Sequence, residues 1–115
     1  MSMMPAYRIV NTTYQLHLGR RIEMPQLGID EFRVVSDADM YQFIKATVLD
    51  WFPSFTLINA TSYWKGQLED VTIIQIISDD YDDALKIHQI AEDYKKRFYQ
   101  EAVLVNTFSS FPNII

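Results

Sequence analysis

The sequence contains no cysteine, which excludes a disulfide framework and any thiolate chemistry. Glycine is scarce, at three residues in 115, and no glycine-rich phosphate loop is present. Basic charge is in deficit: 10 Lys and Arg stand against 15 Asp and Glu, a net charge of -5. That balance disfavours a nucleic-acid backbone as partner, because such binders carry a basic stripe. Long hydrophobic runs are also missing. The longest apolar tract, Val71 to Ile77, is interrupted by Thr72 and Gln75 and is too short to span a membrane. Met1 to Ala6 shows no basic region followed by an apolar stretch, so no secretory signal is expected and a cytoplasmic chain is.

What is present is the composition of an ordinary globular protein, 49% apolar and 22% charged. The length allows one domain over residues 1–115, with a core expected over 6–108 and a tail over 109–115. From Tyr7 to Leu18 the residues alternate, with Val10, Thr12, Tyr14, Leu16 and Leu18 on one side, which reads as a strand ended by Gly19. Arg20 to Val35, with Pro25 and Gly28, reads as a long loop. Ser36 and Asp39 have the spacing of a capping box. Met40, Phe43, Ile44, Thr47, Val48 and Trp51 follow as a buried helical stripe, closed by Phe52-Pro53.

A second strand is expected from Phe55 to Trp64, a turn at Lys65-Gly66, and a third strand from Glu69 or Val71 to Ser78. The second helix has acids at its start, Asp79 to Asp83, and Lys95, Lys96 and Arg97 at its end, both matched to the helix dipole. Ala84, Leu85, His88, Ala91, Tyr94 and Phe98 are expected on its inner face, and Ala102 to Phe108 forms the last strand. This order predicts an α+β fold: a ferredoxin-like β-α-β-β-α-β sandwich, with a four-stranded antiparallel sheet and two helices on one face. The third strand is apolar on both sides, with Val71, Ile73 and Ile77 opposed to Ile74 and Ile76. Its second side needs cover, from a partner subunit or from a loop or tail of the chain itself.

Candidates for chemistry gather at two places. In the hairpin, Tyr63 and Trp64 offer faces for a flat base or a cation, and Glu69 offers a carboxylate to a positive or hydroxyl-bearing ligand. Cross-strand packing with a solvated acid is the plainer alternative. At the junction of the second helix and last strand, Gln100 and Glu101 are polar residues beside free backbone groups, or simply a polar turn. His17 and His88 lie on different elements without paired ligand spacing, so no metal site is expected, and His88 reads as a packing residue. The serines lack a nucleophile-elbow context, and the acidic run lacks calcium-loop spacing.

The hairpin Ser62-Tyr63-Trp64-x-Gly66 is similar to that of the trimeric PII and CutA-like proteins, which bind small ligands between subunits. The residues from Phe55 to Phe108, closing on Phe98-x-Gln100-Glu101-x-Val103-Leu104-Val105, resemble the small bacteriophage S-adenosylmethionine (SAM) lyases. The same blocks, with Val35-Ser36-Asp37-Ala38 and Phe52-Pro53, also resemble an uncharacterised family of small bacterial ferredoxin-like proteins. The lyase likeness implies a trimer that cleaves SAM between subunits to methylthioadenosine and homoserine lactone, without a cofactor. It implies Glu69 as catalytic residue, with Tyr63, Trp64, Gln100 and Glu101 binding an adenosyl-containing ligand. The PII likeness implies instead a non-catalytic binding or sensing oligomer.

Overall fold

The computed structural model of the chain describes residues 11–23 and 32–112. The first strand, β1, covers Asn11–Gly19. Its alternation works as expected: Tyr14, Leu16 and Leu18 are buried in the core, while Val10 lies outside the described residues. In the segment expected to be a loop, the described residues form strands, and 24–31, with Pro25 and Gly28, lie outside the described residues. Arg21–Glu23 (β2) and Phe32–Val34 (β3) pair antiparallel as a two-stranded ribbon. The neck of this ribbon is clipped by Arg20. Its carbonyl accepts from the Val35 N–H at 2.7 Å, and its Nε donates back to the Val35 carbonyl at 2.9 Å. The guanidinium then reaches Asp37 at 2.7 Å.

Helix α1 spans Asp37–Phe43, with both bonds of the Ser36–Asp39 capping box made. It continues through a π-helical turn, Ile44–Val48. Met40, Phe43, Ile44, Val48 and Phe52 are buried as the stripe requires, but Trp51 is exposed. The wider turn explains this, since Leu49 N–H bonds back five residues to the Ile44 carbonyl and rotates the following residues off the stripe.

Strands β4 (Thr56–Trp64) and β5 (Gln67–Ser78) form a hairpin. Lys65 and Gly66 both have positive φ, 50° and 80°, the two-residue turn whose twist matches the strands. Helix α2 covers Asp83–Phe98 and β6 covers Leu104–Ser110, so the last strand starts and ends two residues later than the sequence suggests. The buried face of α2 is Ile87, Ile90, Ala91, Tyr94 and Phe98. Ala84, Leu85 and His88 are exposed, which corrects their expected place on the inner face.

The sheet order is β4-β5-β1-β6, antiparallel throughout, with β1 and β5 central. This is the ferredoxin-like α+β arrangement. Phe43, Tyr94 and Phe98 interlock as ring pairs between the helices, with centroids 4.9–6.1 Å apart. On β5, Ile74 and Ile76 point into this core, while Val71, Ile73 and Ile77 belong to the other face.

Candidate functional site

Strand alternation decides which side chains reach the open face of the sheet. On β5, Glu69, Val71 and Ile73 share that face, and on β1 His17 and Gly19 join them. On β4, Ser62 stands opposite Glu69, and Trp64 lies one step further along the same face. At the hairpin end these residues, Ile73 excepted, floor a cleft of about 880 Å³. Its walls come from elements that the topology brings to the same end. The β2–β3 ribbon supplies Arg21 and Arg33, and the α2–β6 junction supplies Tyr99, Gln100 and Glu101.

Four of the five residues singled out in the sequence therefore meet. Trp64, Glu69, Gln100 and Glu101 all line the cleft, although the two pairs lie some thirty residues apart in the chain. Tyr63 does not line it. It pairs with Leu68 on the other face of the hairpin and is 74% exposed.

The junction is held in place by its own bonds. Tyr99 takes a left-handed conformation at the end of α2, and the Gln100 N–H reaches back to the Lys95 carbonyl at 3.0 Å. The Gln100 side-chain amide donates to the Arg21 carbonyl at 2.8 Å, tying junction to ribbon. Glu101 accepts from Lys65 Nζ at 2.7 Å, linking junction to hairpin turn. That hydrogen bond and the Lys65 charge hold the Glu101 carboxyl below its ordinary value, with a smaller contribution from the Trp64 indole.

Beneath the cleft, Tyr94 is fully buried and donates to the Gly19 carbonyl at 2.5 Å. Burial pushes its phenol well above the usual tyrosine range; Arg20 opposes the shift and Glu69 adds to it. Glu69 is half-buried. Chemically, the site offers a carboxylate on an apolar floor of Val71, Ala102 and Leu104, an indole face, and cations at the ribbon. Among the described residues, no group of three or more His, Cys, Asp or Glu side chains is placed to hold a metal ion. No helix among them is long and apolar enough to cross a membrane.

His17, Gly19, Arg21, Arg33 and Tyr99 line the cleft without having been singled out for it. The alternation of β1 carries the signal for the first two, since His17 and Gly19 fall on the side opposite Leu16 and Leu18. Arg21 and Arg33 depend on the pairing of β2 with β3, and the sequence between them reads as a loop.

No curated protein matches the sequence. Among solved structures, the fold is similar to that of a phage SAM lyase in complex with S-methyl-5'-thioadenosine. The TM-score is 0.58 at 17% identity, over 89% of this chain and 90% of that one. A family model described as protein of unknown function DUF3574 matches residues 14–111, and the chain belongs to that family.

Proposed function

We propose that the chain is a SAM-cleaving lyase, giving methylthioadenosine and homoserine lactone, with its site completed between the subunits of a trimer. The observation that carries the reading is the half-buried Glu69 on the floor of the hairpin-end cleft. The fold shared with a phage SAM lyase supports it.

In this reaction the substrate carboxylate attacks its own γ-carbon. A C–O bond forms, the C–S bond breaks, and the sulfonium leaves as a neutral thioether with the bonding electron pair. No proton need be supplied, so catalysis consists of holding the chain of the substrate folded for attack. Opposite charges vanish as the reaction proceeds, which favours a site with little water around the reacting atoms. The floor of Val71, Ala102 and Leu104 suits that requirement. A carboxylate placed directly on the sulfonium would stabilise the substrate more than the transition state. Glu69 therefore orients the ammonium or a ribose hydroxyl. Trp64 supplies a face to the adenine, and Gln100 and Glu101 form the wall. Tyr63, on the other face, takes no part within its own cleft.

The test is direct. Purified protein incubated with SAM yields methylthioadenosine by chromatography and mass spectrometry, and Glu69→Gln lowers the rate by about a hundredfold or more. Unchanged SAM at high protein concentration overturns the lyase reading, and full turnover by Glu69→Gln removes that residue from it. A second reading, a non-catalytic PII-like binding or sensing oligomer, is favoured by Arg21, Arg33 and Lys65 at the cleft. These cations suit a nucleotide phosphate, and calorimetry with ATP separates that reading from the first.

A further inference from the structure

Gly19 ends β1 directly beneath the candidate carboxylate. It is buried and opposite Val71 in the register, one row from Glu69 on the same face of the sheet. Its φ is not positive, for Gly66 is the glycine with that property among the described residues. The backbone at 19 thus makes no demand for glycine, and in a central strand glycine is otherwise a weak choice. The surroundings make the demand instead. A Cβ at this position would lie 2.8 Å from Glu69 Oε1 and 2.9 Å from Oε2, closer than such atoms approach.

We infer that Gly19 is the positioning residue for Glu69, and that the missing side chain forms the seat in which its carboxylate lies. With the seat present, the carboxylate lies flat on the β1–β5 pair and the space above it stays open to a ligand. The seat is itself fixed from below: Tyr94 holds the Gly19 carbonyl at 2.5 Å, and the Arg20 N–H continues the pairing to the Asp70 carbonyl at 3.0 Å. The strand end cannot sink to admit a larger residue, so the carboxylate must move. Because the clashing atoms are the far end of a flexible side chain, that movement leaves the fold in place. The inference deepens the reading of the cleft as the lyase site, in that it names what sets the position of its carboxylate.

The test uses the full chain with 13C-labelled glutamate and follows side-chain carboxyl resonances at neutral pH. In Gly19→Ala, the Glu69 resonance moves, while that of Glu92, on the outer part of α2, does not. SAM turnover in the same variant falls about tenfold to a hundredfold, while its far-UV circular dichroism stays that of the folded protein. A double-mutant cycle guards against a folding defect. The methyl at 19 lowers Tm beside Glu69 and is neutral or stabilising beside Glu69→Ala, where the clash is gone. An unmoved Glu69 resonance in folded Gly19→Ala overturns the inference, as does a cost that persists undiminished in the Glu69→Ala background. A wild-type protein that leaves SAM intact while its Glu69 resonance responds to Gly19→Ala overturns the lyase reading and supports the seat.

Discussion

Tyr94 joins core and cleft in one side chain. Its ring packs between Phe43 and Phe98, while its hydroxyl donates to the carbonyl of Gly19. Burial raises the phenol far above its ordinary value. A group whose folded pKa is raised stabilises the fold fully below its unfolded pKa, about 10 for tyrosine, and loses that contribution as pH rises above it. Urea denaturation should therefore show stability falling between neutral pH and pH values above about 10. Tyr14, also raised by burial and by Asp83, contributes in the same direction. Tyr94→Phe removes the donor and leaves the Gly19 carbonyl without it, costing about 1–3 kcal/mol at neutral pH. The same variant has a shallower alkaline decline, and a slope equal to wild type would show that Tyr94 is not its source. Glu101 runs the other way. Its lowered pKa keeps the Lys65 bridge intact above the ordinary carboxylate range, and the bridge is lost as pH falls through that lowered value. Both partners are exposed, so the consequence is the position of the hairpin turn against the junction rather than global stability.

At the scale of elements, the junction after α2 carries a local cost. Tyr99 sits at φ 53° and ψ 45°, a left-handed conformation that disfavours a residue with a Cβ by about 1–2 kcal/mol. Tyr99→Gly should raise Tm by several degrees in a thermal melt, an effect reduced in part by the greater freedom of glycine in the unfolded chain. A lower Tm would mean that the ring, although 68% exposed, contributes packing greater than the strain. Elements governed by local chemistry were legible in the sequence. Ser36 and Asp39 marked the helix start, Lys65-Gly66 marked the hairpin, and the double-sided apolar pattern of Val71 to Ile77 marked a central strand. What escaped was set by tertiary context. Ala84, Leu85 and His88 have helical spacing as good as that of Ile87 and Ile90, and only docking on the sheet chooses between the two phases. The π-helical turn that frees Trp51 has no mark in the residues around it. The neck of the β2–β3 ribbon is clipped by Arg20, whose bond to Val35 joins positions fifteen residues apart. The site divides in the same way. Glu69 and Gln100 stood out by chemistry, whereas Gly19 matters for what it lacks, and that becomes visible only when Glu69 is seen lying over it.

At the scale of the whole molecule, the open face of the sheet gathers exposed apolar side chains. Ile58, Ile73, His17 and Leu104 form one cross-strand row, and Ile77, Thr13 and Phe108 form another. Ile58, Ile77, Leu104 and Phe108 are each between 39% and 58% exposed. Between these rows runs a polar one. Gln15 donates to Gln75 at 2.9 Å and accepts from Asn106 at 3.5 Å. Apolar surface gathered on one face is what association buries, and monomers seldom leave a large patch of it exposed. The ordered amides restrict how a partner sheet can sit, because a shifted partner would leave them buried without mates. Under the trimer proposed above, light scattering on the purified chain gives three times the chain mass. Ile73→Glu, at the centre of the open face and away from the helix-side core, gives a single-chain mass with unchanged far-UV circular dichroism. Since the proposed site is completed by a neighbour, that variant also loses SAM turnover even though Glu69, Trp64 and Gln100 are untouched. A wild-type monomer would sink the shared-site model, and an Ile73→Glu monomer that still turns over SAM would place the whole site within one chain.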